Sequence, residues 1–296
     1  MSLVIVGSVA LDTIETPRGK VVDALGGSAV YASLSASYFG PTAIVGVVGN
    51  DFPTSGIELL KSHNVNLDGL ETQAGQTFRW SGKYLDWNRA ETFSTDLNVF
   101  ADFSPRLPES CLCCRSLLLA NIHPRLQLQV LDQIEKYEWV ACDTMNYWIT
   151  LCPDELTEVM RRVDIVFINE QEIRQYTGLD NVFAAAEKII SLGVKAVVVK
   201  RGEYGSVTVL EDDLFFAPAY PVQDLKDPTG AGDCFAGGFM SYMATQPALN
   251  KGAIRNAVRF GTVLAALDVA AFSVEGIINL DYSDLQKKVN QLRNWA

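Results

Sequence analysis

An α/β fold, with a mostly parallel central sheet covered by helices on both faces, is what this sequence predicts. Three observations predict it. Short, β-branched apolar runs alternate with stretches of helical period, polar residues recur where those runs end, and a glycine-rich turn leads straight into an apolar helix. No linker, internal repeat or low-complexity segment divides the 296 residues, so residues 1–296 are read as a single domain.

Strands are expected near 3–7, 43–48, 116–120, 139–143, 165–169, 196–200 and 206–210, each a run of Val, Ile, Leu and Ala. Helices are expected near 28–39, 54–64, 125–137, 153–163, 182–192, 232–245 and 251–270. Polar residues follow the strands: Asp12, Asn50 and Asp51, Asn121, Asp143, Asn169 and Lys200. Open α/β sheets bind ligands outside the carboxyl ends of their strands, so these residues mark one candidate edge. Asn50 and Asp51 also suit a loop or a helix cap. The stretch 77–99 breaks the alternation. Phe78, Trp80, Gly82 and Tyr84 share one face and Thr77, Arg79, Ser81 and Lys83 the other, which describes a hairpin turning at Asp86-Trp87-Asn88-Arg89. A second polar insertion spans about 10–25.

Asp227-Pro228-Thr229-Gly230-Ala231-Gly232-Asp233 carries the chemistry. Pro228 sets a turn, and the glycines let the backbone approach a ligand. A helix beginning there leaves several N–H groups unpaired at the positive end of its dipole, which is an anion site. Asp233 in the first turn places a carboxylate beside it. Donors for a phosphate next to a group that takes a proton are the parts of phosphoryl transfer. A tight loop before a core helix would be the plainer reading, but Ala236-Gly237-Gly238 extends the run with small residues that let the helix pack closely.

Composition excludes several classes. A net charge of −11 argues against nucleic-acid and anionic-membrane partners. No signal segment or spanning run is present, so the chain reads as cytoplasmic. Cys111, Cys113, Cys114, Cys142, Cys152 and Cys234 are read as free thiols, since only His63 and His123 are available to complete a metal site. The first strand leads into Gly7-Ser8-Val9-Ala10, without a dinucleotide fingerprint.

The Asp227–Asp233 run and its small-residue helix resemble the C-terminal signature of the ribokinase-like (PfkB) carbohydrate and nucleoside kinases. The resemblance continues through most of the chain. It implies a ribokinase-like fold with a small β-sheet lid from segments of about 10–25 and 77–99, which would exclude water on closing. It implies that Asp233 is the catalytic base, with Gly230, Ala231 and Gly232 receiving charge. Asp12, in Val6-Gly7-Ser8-Val9-Ala10-Leu11-Asp12, is similar to the family's hydroxyl-gripping aspartate. Gly26 and Gly27 are similar to its glycine pair, and Tyr31 stands where many members carry a sugar-contacting asparagine. Asn169 and Glu172 fit its Asn-x-x-Glu motif, which organises Mg²⁺ and its waters around ATP; an N-cap with a surface Glu is the alternative. Lys200, Gly202, Gly205, Thr229 and Thr262 are implied at the ATP site, and Asp227 with Ser273 at a monovalent cation such as K⁺.

Two acceptors compete. Phe78, Trp80 and Tyr84, with Trp87 and Phe93 nearby, offer flat faces suited to stacking on a base. This favours an adenosine-like nucleoside, phosphorylated on its ribose 5′-hydroxyl, over ribose, fructose or a related free sugar. The same rings would also serve a homodimer formed through the lid. A ligand-binding protein without turnover is the third reading.

Overall fold

The computed structural model describes residues 2–87, 89–112 and 114–295. Asn88 of the hairpin turn and Cys113 of the cysteine cluster lie outside the described residues. In chain order the strands are β1 (Leu3–Val6), β2 (Ala10–Thr16), β3 (Gly19–Gly26), β4 (Thr42–Gly49), β5 (Val65–Gln73), β6 (Phe78–Asp86), β7 (Arg89–Asp96), β8 (Ser116–Leu119), β9 (Trp139–Asp143), β10 (Ile165–Asn169), β11 (Ala196–Lys200), β12 (Ser206–Leu210) and β13 (Asp213–Ala217). The helices are α1 (Ser28–Ala36), α2 (Thr54–Ser62), α3 (Glu109–Leu112), α4 (Pro124–Leu131), α5 (Asn146–Leu151), α6 (Pro153–Arg161), α7 (Glu170–Thr177), α8 (Val182–Ile190), α9 (Ala231–Ala244), α10 (Lys251–Asp268) and α11 (Tyr282–Trp295).

Among the described residues the strands form two sheets. The larger has nine strands in the order β13-β12-β11-β10-β9-β8-β1-β4-β5, parallel except for β12, which runs against both neighbours. The apolar runs explain this placement, because a parallel strand with helices on both sides must be apolar on both faces. Leu3, Ile5, Leu118, Phe167 and Val198 pack toward α1, α9 and α10. Val4, Val6, Leu117, Leu119, Val166 and Val197 pack to the other side, where α6 and α8 contribute Leu156, Val159 and Ile189. Close contact between α1 and α9 depends on Gly237, where a Cβ would come within 2.1 Å of the Ala32 carbonyl. A third cluster fixes α11 to α10 through Leu285, Val289 and Leu292 against Phe260 and Leu264.

The smaller sheet, in the order β3-β2-β6-β7, combines two hairpins joined by a parallel β2–β6 pair. Its register sets Asp12 beside Trp80, so both project from one face. At its base Asp51 accepts from the Thr77 amide and hydroxyl, both at 2.7 Å, and from Arg79 at 2.8 Å, while Arg79 also pairs with Asp23. No helix among the described residues is long and apolar enough to cross a membrane.

Candidate active site

Helix α9 starts at Gly230, whose φ of 84° suits glycine, and no side chain caps its first turn. The amides of that turn are therefore left for an anion. The position is also sterically reserved: a Cβ on Gly230 would fall 2.3 Å from the ring of Tyr31. Tyr31 is a correction to the sequence reading. It is fully buried beneath this turn, its hydroxyl has no hydrogen-bond partner, and it does not line the acceptor side. Burial, with Asp12 and Asp268 nearby, pushes its phenol well above the usual range.

Asp233 occupies the first turn of α9. Burial pushes its carboxyl up to about 7; Asp143 adds to the rise and Lys200 opposes it. Lys200, at the end of β11, donates to Asp143, at the end of β9, at 2.6 Å. Its ammonium lies 3.0 Å from where a Cβ on Gly232 would be, directly under the turn. Burial alone would lower the Lys200 ammonium, but Asp143 and Glu172 outweigh it and hold the group above its ordinary value. Asp143 stood out in the sequence only as a strand-end residue; its role as the partner of Lys200 was not foreseen.

Asn169 and Glu172 form a capping box for α7: the Asn169 side chain accepts from the Glu172 amide at 2.8 Å, and Glu172 accepts from the Asn169 amide at 2.9 Å. The pair is thus a helix cap as well as a candidate Mg²⁺ contact. Glu172 is buried near Lys200 and Asp143, and burial raises its carboxyl to about 7 against the pull of Lys200. Arg201 pairs with Glu170 at 2.7 Å.

On the acceptor side, the Asp12 carboxylate lies against Gly26, where a Cβ would come within 2.0 Å of Oδ2. Gly27 follows at φ 95°, with the Ser8 carbonyl 2.5 Å from any Cβ there. Burial first, then Asp227 and Asp233, raise the Asp12 carboxyl to about 7. Tyr84 of β6 reaches the turn, accepting from the Thr229 hydroxyl at 3.3 Å, and burial raises its phenol to about 12. The small sheet therefore touches the anion turn directly.

Other expected residues sit differently. Phe78 packs on Phe100, with centroids 5.5 Å apart, and the Trp80 ring lies over Gly82 while its indole N–H donates to Thr92. Their faces are largely taken by the sheet and its base, which corrects the stacking expected of them. Thr262 donates to the Val258 carbonyl within α10 and is buried, so its hydroxyl serves its own helix. Gly202, at φ 56°, opens a short turn after β11, whereas Gly205 is required by β13: a Cβ there would lie 1.9 Å from the Ala217 carbonyl. Asp227 accepts from the Thr229 and Ser273 amides at 2.9 and 3.1 Å, and Ser273 donates its hydroxyl to the Leu25 carbonyl, so both residues join the turn to the closing loop and β3.

Sequence reasoning missed Asp268. It ends α10 fully buried, with both carboxylate oxygens lacking hydrogen-bond partners; burial and the charge of Asp227 push it well above the carboxylate range, so it is neutral at pH 7. An Asp continuing the apolar stripe Ala257, Gly261, Leu264 was the available signal.

These geometries accord with the comparisons to known proteins. The pfkB family carbohydrate kinase model matches residues 2–277. The chain belongs to the pfkB carbohydrate kinase family. As a member it is a phosphotransferase with an alcohol acceptor. It is 32% identical to the cytidine kinase of Thermococcus kodakarensis over 252 residues, covering 81% of this chain and 88% of that protein. The fold is ribokinase-like. It superposes on the Methanocaldococcus jannaschii nucleoside kinase with a TM-score of 0.79 at 20% identity, covering 98% and 99% of the two chains. Against a candidate ribokinase II of E. coli, solved with ATP and Mg²⁺, the TM-score is 0.81 at 19% identity, covering 98% and 99%.

The raised carboxyls have a consequence for stability. Asp12, Asp233 and Glu172 stand near 7 in the fold, against 3.8, 3.8 and 4.5 ordinarily. The folded state thus keeps protons that the unfolded chain releases. Their stabilising contribution is full below the unfolded values and is lost as pH rises through about 7. The urea midpoint of the ligand-free protein is expected to fall between about pH 5 and about pH 8, and Asp12→Asn should flatten that fall. A midpoint rising over this range would contradict the assignment.

Proposed function

We propose that this kinase transfers the γ-phosphate of Mg·ATP to the primary 5′-hydroxyl of a nucleoside. The observation that carries the reading is Asp233, a carboxyl near 7 in the first turn of an uncapped helix and beside the Lys200–Asp143 pair. A base with a pKa near neutrality removes a hydroxyl proton efficiently at neutral pH. Asp233 takes the proton as the hydroxyl oxygen bonds to the γ-phosphorus and the bond to the leaving ADP oxygen breaks. The amides of Gly230, Ala231 and Gly232 receive the charge on the transferred group, with Lys200 beneath them.

The residues present fit the nucleotide and its metal. An uncapped helix start supplies phosphate donors, and Mg²⁺, which neutralises phosphate charge when bound, needs few protein ligands. In this reading Asn169 and Glu172 meet it through water. Asp12 accepts from acceptor hydroxyls, Gly26 and Gly27 let the sugar approach, and the β3-β2-β6-β7 sheet closes over it through Tyr84 to exclude water.

Identity to a cytidine kinase over most of the chain favours a nucleoside over a free sugar. The base remains to be assigned between the adenosine type expected from the sequence and the cytidine type of that relative. ADP release with Mg·ATP across cytidine, uridine, adenosine, ribose and fructose tests the reading. Nucleoside-dependent turnover is expected, and turnover with free sugars alone would overturn it. Running the assay with and without K⁺, and across protein concentrations, tests the monovalent cation beside Asp227 and Ser273 and the lid-mediated homodimer.

A further inference from the structure

We propose that Asn121 and Trp148 form the part of the acceptor site that reads the nucleobase, Asn121 as a hydrogen-bond donor and Trp148 as a stacking face. The assignment rests on the nucleoside reading above. Asn121 follows β8 at the carboxyl edge of the sheet. Its backbone carbonyl accepts from the Ser28 hydroxyl at 3.4 Å, and Ser28 continues the Gly26-Gly27 turn that lies against Asp12. The residue therefore borders the place assigned to the sugar.

Its side chain is fixed in one sense. Oδ1 accepts the indole N–H of Trp148 at 3.0 Å, so the remaining polar group of the amide is Nδ2, a donor. Trp148 is itself braced. Its ring leans on His123 with centroids 4.8 Å apart, and Tyr147 packs on it edge-on at 4.9 Å. His123 accepts from the Arg125 amide through Nδ1 at 3.1 Å and meets the Cys152 thiol through Nε2 at 3.6 Å. A polar group and a ring held in place this way lose little freedom on binding.

Trp148 is half-buried and Tyr147 is 53% exposed, so the ring pair stands at the surface of the crevice, outside the core. The rings of the small sheet offer less: Phe78 is stacked on Phe100 and Trp80 covers Gly82. A base needs a face to stack on and an edge to be read, and Trp148 with Asn121 supplies both. A donor at that edge selects bases presenting a carbonyl or an unprotonated ring nitrogen, as cytosine does through O2 and N3. A free sugar uses neither group.

The test compares the wild type with Trp148→Ala and Asn121→Asp, measuring kcat/KM for cytidine and KM for Mg·ATP. Asn121→Asp keeps an oxygen for the indole N–H and removes only the amide donor, so it isolates base reading from folding. Both variants are expected to lose about 10–100-fold in kcat/KM for cytidine while KM for Mg·ATP stays within about twofold. Unchanged cytidine kinetics, or an equal deterioration toward Mg·ATP, would overturn this assignment and leave the nucleoside reading standing. A wild type that phosphorylates no nucleoside would defeat both.

Discussion

Asp233→Asn is expected to lower kcat by about 10²–10⁴-fold, the span associated with removing a positioned general base. The amide is nearly isosteric, so the turn, the Lys200–Asp143 pair and nucleotide binding stay in place, and KM for Mg·ATP should change little. Folding stability should not fall either, because the native carboxyl is held near 7 by burial and gains nothing from being ionised there. The pH dependence separates this role from a structural one. A base near 7 makes wild-type kcat/KM climb with pH through neutrality and level off above it, as the protonated fraction disappears. That slope should vanish in Asp233→Asn. Turnover within about threefold of wild type, or an unchanged pH profile, would remove Asp233 from the proton transfer.

Much of this site was legible in the sequence because its parts are local. A glycine turn feeding an apolar helix is written in consecutive residues, and so are the strand ends carrying Asp12, Asn169 and Lys200. The parallel strands were legible for a related reason: burial on both faces leaves no alternation, only short apolar runs such as Ala196–Lys200. Strand β5 was not, since its outer position at the sheet edge admits Asn66, Asp68 and Glu71 into the pattern. Helix α7 was hidden because its capping box was read as chemistry alone. What escaped at the site depends on contacts across the fold. Lys200 meets Asp143 across 57 residues, and Tyr31 meets Gly230 across nearly the whole chain. The residue type at position 31 says nothing of which way the ring turns. Its direction is decided by the missing side chain at Gly230, which opens the space that the ring fills.

The Lys200–Asp143 pair gives the largest expected effect on stability. Lys200→Met is expected to cost about 3–5 kcal/mol, as when one partner of a buried ion pair is removed. Asp143 is only 3% exposed, and it would keep one hydrogen bond, from the Thr144 amide at 2.8 Å. Its uncompensated charge would also act on Glu172 and Asp233, both of which Lys200 now draws downward. Their carboxyls should rise further, so the residual activity should appear at higher pH than in the wild type. The double variant Lys200→Met/Asp143→Asn leaves no charge stranded and should recover much of the lost stability. Urea midpoints of the two variants check the first half of the argument; a single variant that unfolds at the wild-type midpoint would show that the pair does not hold the strand ends together. Activity checks the second half. If Lys200 serves only Asp143, the double variant regains turnover along with stability. If its ammonium also meets phosphate beneath the turn, stability returns and turnover does not, and that separation is the expected result.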